Sequence, residues 1–304
     1  MNCDVLIAGG GPAGMTAAIY TARSGWNTIL LDPAGGGGLA ITTDMIHNYP
    51  GFPSGVSGQE LMDRMAEQAK GFGAKIVWDE ARSVSLEDGV FKVRSGGEDY
   101  LAKAVIYAAG TSPKRLGVPG EDRLIGKGVS FCATCDGALF RGKKVAVIGG
   151  GDSAMTEADF LTRFASEVIL IHRRDEFRAS LASVNRVRAN PKVRFLLSST
   201  VEEVRGDERV TSIVVLNRKS GTTSEIPVDG LFLYIGWEPN VKPVEGLVDL
   251  SESGFVKTNE DMTTKTPGLF AAGDIREKTL RQVATAVGDG AIAAWSAERY
   301  LQGH

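Results

Sequence analysis

The sequence predicts an α/β protein with two Rossmann-like, three-layer domains, the second of which is inserted into the first. Two glycine-rich turns, at residues 9–14 and 149–154, each follow a short apolar strand and precede a helix. Such a turn lets the backbone approach a pyrophosphate, and the helix N-terminus behind it supplies partial positive charge. A further glycine-bearing stretch, residues 268–274, lies near the opposite end of the chain and belongs with the first turn. The second domain is therefore predicted to be an insertion.

The first dinucleotide-binding unit begins with a predicted strand over residues 4–8 and a helix over about residues 15–24. A second strand, residues 28–31, ends directly at Asp32. An acid at this offset accepts hydrogen bonds from ribose hydroxyls and repels a 2′-phosphate, which favours FAD. The candidate contacts of this turn are Gly9, Gly11, Pro12, Ala13 and Gly14.

Two other glycine-bearing stretches support a flavin in this unit. Ala109 and Gly110 follow an apolar strand near the end of the first region. Gly273 and Asp274 stand at a predicted strand end, before an alanine-rich helix over residues 282–300. The Asp274 carboxylate is expected to bond flavin ribityl or phosphate groups. Helix capping is the alternative role, and the two are compatible.

The second dinucleotide-binding unit has predicted strands over residues 145–148 and 168–171. Its turn offers Gly149, Gly151, Asp152, Ser153 and Ala154 as contacts. Where the first unit carries its acid, this unit carries a group of basic residues, namely His172, Arg173, Arg174 and Arg178. Guanidinium groups bind a phosphate through paired N–H donors, so this site is predicted to bind NADPH. A solvated basic face after a strand is the alternative.

A C-x-x-C pair, Cys132 and Cys135, precedes the second unit and is followed at once by Asp136. This spacing lets a disulfide open and close with little backbone movement, and each thiol helps to stabilise the other as a thiolate. Structural zinc takes four ligands, yet the chain has only one more cysteine, Cys3, and no second pair at ligand spacing. We interpret the pair as redox-active, with no metal; a zinc site and an inert pair are the alternatives. Cys3 is expected to be inert.

Together these motifs resemble the low-molecular-weight thioredoxin reductases, NADPH-dependent homodimeric flavoproteins of the pyridine nucleotide-disulfide oxidoreductase family. The resemblance covers essentially the whole chain and is most specific at residues 132–136 and 172–178. Residues 48–51, 271–274 and 281–283 match as well. The resemblance implies additional FAD contacts at Asn48, Arg281, Gln282 and Val283.

The resemblance also implies a path for electrons, from NADPH to FAD, then to the Cys132–Cys135 disulfide, then to thioredoxin or a thioredoxin-like protein. It assigns Cys135 to the flavin side and Cys132 to attack on the partner. Asp136 is expected to act as general acid and base, since a departing thiolate needs a proton. A helix cap or a surface charge is the alternative for this carboxylate.

Two positions depart from the family pattern. Gly38 stands in the Gly-Gly-Gly-Leu run at residues 36–39, where the family usually has a glutamine that contacts the flavin. The loop that follows is one residue longer than usual. Trp237 stands where the family often has histidine or another aromatic residue. Neither departure removes a predicted catalytic group, but the first is expected to alter the flavin potential.

Composition and motif order complete the prediction. A net charge of −3 gives no basic excess, so nucleic acid is not an expected partner. No apolar run reaches membrane-spanning length and no leader precedes the first strand, so a cytoplasmic protein is expected. No extra redox tail is expected after the last helix, unlike in the high-molecular-weight thioredoxin reductases. The FAD-binding domain is predicted to comprise residues 1–113 and 244–304, and the NADPH-binding domain residues 114–243.

Other functions fit parts of the pattern. A flavin-dependent dithiol oxidase passes electrons to oxygen, and a ferredoxin-fed reductase takes them from a protein; neither has much use for the arginines at 173, 174 and 178. A disulfide reductase acting on another partner remains an alternative. A redox sensor would bind FAD and use the cysteine pair as a switch, without turnover of NADPH.

Overall fold

A computed structural model describes residues 1–33, 37–43 and 45–304 and divides them into two compact units. Unit 1 comprises Met1–Ser112 with Glu238–His304, and unit 2 comprises Pro113–Trp237. Unit 1 differs from the predicted FAD-binding domain at residue 113 and residues 238–243. Each unit combines a sheet that contains parallel strands with helices, which confirms the predicted α/β class.

Both units contain strands and helices. The strands, in chain order, are β1 (Asn2–Ala8), β2 (Thr28–Leu31), β3 (Lys75–Val77), β4 (Ser83–Glu87), β5 (Val90–Arg94), β6 (Asp99–Tyr107), β7 (Thr111–Pro113), β8 (Val129–Ser130), β9 (Lys144–Gly149), β10 (Glu167–Ile171), β11 (Val193–Leu196), β12 (Ser199–Arg205), β13 (Ser212–Asn217), β14 (Thr223–Pro227), β15 (Gly230–Tyr234), β16 (Trp237–Pro239) and β17 (Leu269–Ala271). The helices are α1 (Pro12–Arg23), α2 (Gly58–Gly71), α3 (Ala133–Asp136), α4 (Asp152–Leu161), α5 (Leu181–Arg188) and α6 (Val283–Leu301). Short 3-10 helices cover Gly38–Thr42, Asp122–Leu124, Gly137–Phe140, Lys242–Val244 and Gly273–Ile275.

The sheet of unit 1 is built around β1 and β6. Strand β1 pairs in parallel with β2 and β6, and β2 pairs in parallel with β3. Along its other edge β6 pairs first with β5, antiparallel, and then with β17, parallel. Strand β17 therefore brings the C-terminal part of the chain beside the N-terminal strands. Apolar side chains pack on both faces of this sheet, as the near-continuous apolar sequences of β1 and β2 require.

Unit 2 repeats this plan with its own strands. Its parallel sheet has the order β11-β10-β9-β15-β8, and a separate antiparallel sheet has the order β12-β13-β14. The chain passes between the units at β7 and β16, which pair with each other in a two-stranded ribbon. The carboxyl ends of β1 and β9 lead into the two glycine turns, as in other sheets of this class.

Helix α1 begins at Pro12, earlier than the predicted residue 15, since proline's fixed φ suits the first helical position and its missing N–H is no loss there. The helix then crosses α6 at very close range. A Cβ atom on Gly290 would lie 2.1 Å from the carbonyl oxygen of Ala13. Small buried residues line both helices at the crossing, which lets their backbones approach.

This crossing predicts opposite effects for two alanine substitutions in α6. Gly290→Ala is expected to lower the free energy of unfolding by about 1–3 kcal/mol, because the added methyl group must displace the α1 backbone. Gly288→Ala is the matched control, since nothing lies within 4 Å of a Cβ there. It should raise the unfolding free energy by up to about 1 kcal/mol through helix propensity. Urea unfolding followed by circular dichroism measures both. Equal effects would show that the crossing is not tight.

Candidate active site

The first glycine turn is shaped by three close contacts, two with backbone atoms and one with the Asp32 side chain, which leave no room for side chains at its glycines. Gly9 has a φ of +106°, and a Cβ there would lie 2.4 Å from the carbonyl oxygen of Ala108. A Cβ on Gly14 would lie 1.8 Å from the carbonyl oxygen of Gly9. Asp32, 5% exposed, packs its carboxyl group against Gly10. The turn therefore presents its backbone and the start of α1, with the predicted acid directly beside it.

Two distant segments converge on this turn. The Cα of Ala109 would lie 2.8 Å from a Cβ on Gly9, and Asn240 holds the 109–110 backbone through its Nδ2 and its N–H. From the other end of the chain, Gly273 has a φ of +81° and approaches Ala13, whose Cβ would lie 2.8 Å from a Cβ at Gly273. The structure thus brings together the predicted residues of the first turn, β6 and β17.

The remaining predicted FAD residues meet at the start of α6. Asn48 donates from Nδ2 to Oε1 of Gln282 at 2.9 Å, so residues far apart in sequence are in direct contact. Gln282 is the N-cap of α6 and forms a capping box with Thr285, while Val283 is the first helical residue. Such a box holds the orphan amides of the first turn in place.

Arg281 is turned inward rather than outward. Its guanidinium lies 4.0 Å from the ring centroid of Phe255 and donates to backbone carbonyls of the loop, among them Asp274 and Arg276. Its observed contacts therefore fix the shape of the loop 273–282. A direct contact with FAD stays a prediction.

Asp274 fits the binding of a polyhydroxylated group. Its Oδ1 is buried and makes no hydrogen bond, although Lys278 Nζ lies 3.4 Å away as an ion-pair partner. Burial raises the pKa of Asp274, with Lys278 and Arg281 acting in the opposite direction. A buried acceptor without a donor is uncommon and points to a group that supplies one. With the side-chain-free cradle at the glycine turn, this buried oxygen without a hydrogen bond fits FAD.

The glycine at position 38 has a local structural reason. Gly38 has a φ of +54°, and a Cβ there would lie 3.1 Å from the Cα of Gly11. The N–H of Gly37 donates to the carbonyl oxygen of Gly10 at 2.8 Å, which holds this loop against the first turn. A glutamine at position 38 would be strained in this conformation. Gly36, in the same predicted run, lies outside the described residues.

The second glycine turn, in unit 2, is also packed too closely for side chains at two of its glycines, but against different neighbours. A Cβ on Gly149 would lie 2.6 Å from the carbonyl oxygen of Tyr234 and 2.7 Å from the Cβ of Ala154. A Cβ on Gly150 would lie 2.1 Å from the His172 ring. At Gly151 a Cβ would meet nothing within 4 Å, so this side of the turn is open.

His172 supports this turn from behind. The residue is 8% exposed, and its ring stacks on Phe177 with centroids 5.3 Å apart and contacts the carbonyl oxygen of Glu176 through Nε2 at 3.1 Å. Burial, and then the neighbouring arginines, lower the pKa of His172, although the Glu176 contact opposes them. The imidazole is therefore neutral at pH 7 and adds no charge to a phosphate site.

The positive charge near this turn lies on the three predicted arginines. The Arg178 N–H donates to the carbonyl oxygen of Gly150 at 2.8 Å, so the loop after β10 is tied to the glycine turn. Arg173, Arg174 and Arg178 are all exposed, and no carboxylate in the described part of the chain lies within ion-pair distance of them. Asp152 accepts from the Ser180 N–H at 3.0 Å, and Ser153 is exposed beside it in α4.

The cysteine pair forms a disulfide at the start of α3. The Cα atoms of Cys132 and Cys135 are 5.3 Å apart, and both residues are half-buried. Ser130 Oγ donates to Asp136 Oδ2 at 2.5 Å and accepts from the Cys132 N–H at 3.1 Å. A hydrogen-bonded path therefore joins the predicted acid–base group to the first cysteine. The structure brings the three predicted catalytic residues together and adds Ser130.

Tyr234, at the end of β15, is a second residue that no sequence motif singled out. Its hydroxyl accepts from the Ala133 N–H at 2.6 Å, between the two cysteines. Burial of the phenol, and then the charge of Glu157, raise the pKa of Tyr234, so its hydroxyl stays protonated. No spacing rule could have found this contact, because Tyr234 and Ala133 lie on different elements about a hundred residues apart.

Other features bear on alternatives to a redox site. Cys3 is buried, and its burial raises the pKa of the thiol to about 12, so it is unreactive. Within residues 1–33, 37–43 and 45–304, no group of histidine, cysteine or acidic side chains is arranged to hold a metal ion. Nor does any helix in this part of the chain combine the length and apolarity needed to cross a membrane.

Two glycine turns with opposite charges at the ribose end, and a disulfide beside a carboxyl group, define a nucleotide-dependent disulfide oxidoreductase. The chain belongs to the pyridine nucleotide-disulphide oxidoreductase family, whose model matches residues 3–290. The family resemblance inferred from the motifs is thereby confirmed, and with it the use of FAD and a pyridine nucleotide.

Similar proteins extend over nearly the whole chain. A thioredoxin reductase from Bacillus subtilis is 47% identical, with 98% of this chain and 95% of that protein covered. One from Mycolicibacterium smegmatis is 48% identical, with 98% and 96% covered. The crystal structure of thioredoxin reductase from Streptococcus pyogenes, 40% identical, has a TM-score of 0.92 and covers 100% of this chain and 99% of its own. The predicted pair of Rossmann-like domains is confirmed by this match.

Glu157, in α4, predicts a pH dependence of stability. Its Oε2 is buried without a hydrogen bond, and burial raises the pKa of the carboxyl above the ordinary 4.5. The folded protein thus holds this proton more tightly than the unfolded chain. The free energy of unfolding therefore falls as the pH rises from the pKa of Glu157 in the unfolded chain to its higher pKa in the folded protein. Glu157→Gln should therefore stabilise the protein at about pH 7.5 and have no such effect near pH 4. Thermal unfolding at both pH values measures the difference. The exposed Glu208→Gln should show no pH-dependent gain; a uniform effect of Glu157→Gln would rule out the charge as its cause.

Proposed function

We propose that this chain is a thioredoxin-disulfide reductase, which takes electrons from NADPH and reduces the disulfide of thioredoxin or a thioredoxin-like protein. The observation that carries the proposal is the half-buried Cys132–Cys135 disulfide beside Asp136, in a unit that also bears the arginine-flanked glycine turn. Relatives that are named thioredoxin reductases and match over nearly the whole chain support thioredoxin as the partner.

Each unit would hold one nucleotide. In unit 1, FAD would lie over the first glycine turn, with Asp32 at the ribose, Asp274 at the ribityl chain, and the Asn48–Gln282 pair and the start of α6 along the rest. In unit 2, NADPH would lie over the second turn, with its 2′-phosphate held by Arg173, Arg174 and Arg178. These positions are supported by open backbone at each turn and by opposite charges at the two ribose ends.

When bound, FAD would supply the two-electron chemistry that links hydride from NADPH to reduction of the disulfide. Reduction of the Cys132–Cys135 bond consumes two electrons and two protons and leaves two thiols. Asp136 is placed to hold and release one of these protons, because it follows Cys135 directly and is bonded through Ser130 to the Cys132 amide. Tyr234 orients the intervening backbone through Ala133.

The dithiol then reduces the partner by two exchanges. Cys132, as a thiolate, attacks one sulfur of the partner's disulfide; the partner's other sulfur leaves as a thiolate and takes a proton. Cys135 next attacks the sulfur of Cys132, which releases the second partner thiol and restores the internal disulfide. The half-buried position of the pair suits this exchange, since a protein-sized disulfide must reach one sulfur.

The arginines also separate this proposal from its alternatives. Three exposed, unneutralised guanidinium groups beside a dinucleotide turn suit a nucleotide with an extra phosphate, which a dithiol oxidase or a ferredoxin-fed reductase does not need.

We further propose that the protein works as a cytoplasmic homodimer, as the family resemblance implies.

The central experiment combines turnover with trapping of the partner. Purified parent protein should be yellow and should oxidise NADPH in the presence of oxidised thioredoxin. Cys135→Ser should lose turnover but capture thioredoxin through Cys132 as a mixed disulfide, visible by mass spectrometry under non-reducing conditions. Cys132→Ser should lose turnover and capture nothing. Cys3→Ser is the matched control and should keep both turnover and the absence of trapping. A parent protein that turns over NADPH only with oxygen would instead be an oxidase.

Coenzyme choice is a separate prediction. Because each charge-assisted bond to phosphate contributes roughly 1.5–3 kcal/mol, Arg173→Ala combined with Arg174→Ala should raise KM for NADPH by at least about tenfold. NADH lacks the phosphate, so its KM should change by less than about threefold. Arg188→Ala, at another exposed arginine of unit 2, is the control and should alter neither value. Equal KM values for NADPH and NADH in the parent protein would contradict the assignment.

A further inference from the structure

Asp289, on α6, is the centre of a half-buried charge cluster that no motif predicted. Its side chain is 12% exposed and receives three donors. Oδ2 accepts from the Gly273 N–H and from Lys278 Nζ, each at 3.0 Å, and Oδ1 pairs with Arg276 Nη1 at 2.9 Å. All three donors belong to the loop that also carries Asp274.

Lys278 stands between two carboxylates. Its side chain is 11% exposed, and its Nζ lies 3.0 Å from Asp289 Oδ2 but 3.4 Å from Asp274 Oδ1. The first contact is a hydrogen bond, whereas Asp274 Oδ1 has none. The ammonium group therefore donates its hydrogen bond to Asp289, the nearer of the two carboxylates, and Asp274 Oδ1 receives none.

Arg276 keeps Asp289 in this position. Its Nε donates to Thr258 Oγ1 at 2.6 Å, so the guanidinium is anchored to a neighbouring segment while Nη1 holds Oδ1 of Asp289. Asp289 consequently has one oxygen fixed by Arg276 and the other available to Lys278 and the Gly273 amide. The cluster has a defined geometry rather than a set of interchangeable pairs.

We propose that Asp289 is a positioning residue for FAD, which acts by withholding Lys278 from Asp274. A half-buried ammonium group must be paired, and without the Asp289 charge its nearest partner is Asp274. A hydrogen bond from Lys278 would occupy the carboxylate oxygen that Asp274 offers to hydroxyl groups of the cofactor. Asp289 thus keeps Asp274 an open acceptor. This inference rests on the proposed place of Asp274 in the FAD site.

Two other roles for the cluster make different predictions. If Asp289 only clamps the loop to α6, its loss should weaken FAD binding whatever stands at position 278. If Lys278 itself binds the cofactor, removal of Lys278 alone should weaken binding. Under the present proposal removal of Lys278 alone is harmless, since the group that Asp289 restrains is gone and Asp289 keeps its bonds to Arg276 and Gly273.

The test is the rate at which FAD leaves the purified holoprotein, followed by the rise in flavin fluorescence after dilution into FAD-free buffer. Asp289→Asn should speed FAD release by about tenfold or more, the size expected for loss of one charge-assisted hydrogen bond. Lys278→Met should stay within about threefold of the parent, and Asp289→Asn combined with Lys278→Met should return to within about threefold. Thermal unfolding of the FAD-free protein reports loop stability separately.

Each failure has its own meaning. A double variant that releases FAD as fast as Asp289→Asn would reduce Asp289 to a clamp, and fast release from Lys278→Met alone would make the lysine a direct ligand; either result overturns the proposal. If Asp289→Asn yields no soluble protein, the double variant still decides, because the charges are balanced in it. A parent protein purified without FAD would refute the proposed function instead, before any variant is compared.

Discussion

The close approach of three backbone segments at Ala13 is the constraint on which unit 1 depends. The start of α1, the Gly273 turn after β17, and Gly290 of α6 meet there so closely that a side chain at either glycine would clash with Ala13. Because these segments come from both ends of the chain, their contact joins the N-terminal and C-terminal parts of unit 1. The same approach clears the backbone surface over which a pyrophosphate would lie. Packing and the proposed cofactor binding thus depend on glycine, which has no side chain, at the same positions.

Unit 2 uses this geometry for a different chemistry. Its glycine turn is backed by a neutral, buried histidine, where the first turn is backed by the carboxyl group of Asp32. The positive charge lies on the exposed arginines that follow this histidine in the loop after β10. The hydrogen bond from the Arg178 N–H to the Gly150 carbonyl oxygen holds this loop against the turn. Because the buried residue behind the turn is a neutral histidine, its burial costs no desolvation of a cation. The charged guanidinium groups stay in contact with solvent.

Polar groups around the disulfide and around Asp274 share a common feature: their positions are fixed by neighbours rather than by their own backbone. Ser130 and Tyr234 hold the dithiol turn through its amides, and Asp289 with Lys278 surrounds Asp274. Buried hydrogen bonds of this kind are costly to leave unmade, so they orient the reactive groups before any substrate arrives. Tyr234 and Asp289 lie on other elements than the groups they orient, whereas Ser130 and Lys278 are close to theirs in sequence.

The sequence by itself determined the class of fold, both glycine turns, the cysteine pair and the contrast between Asp32 and the arginines. These follow from local rules, since strand–glycine–helix order and residue spacing act over a few residues. Only the tertiary structure decided that His172 is a buried support, that Gly38 is held against Gly11, and that Arg281 turns inward. It alone revealed Tyr234, Ser130, Glu157 and Asp289 as partners of the sites. The physical reason is that burial, pKa and hydrogen-bond partners depend on which distant elements pack together, and no local pattern encodes that packing.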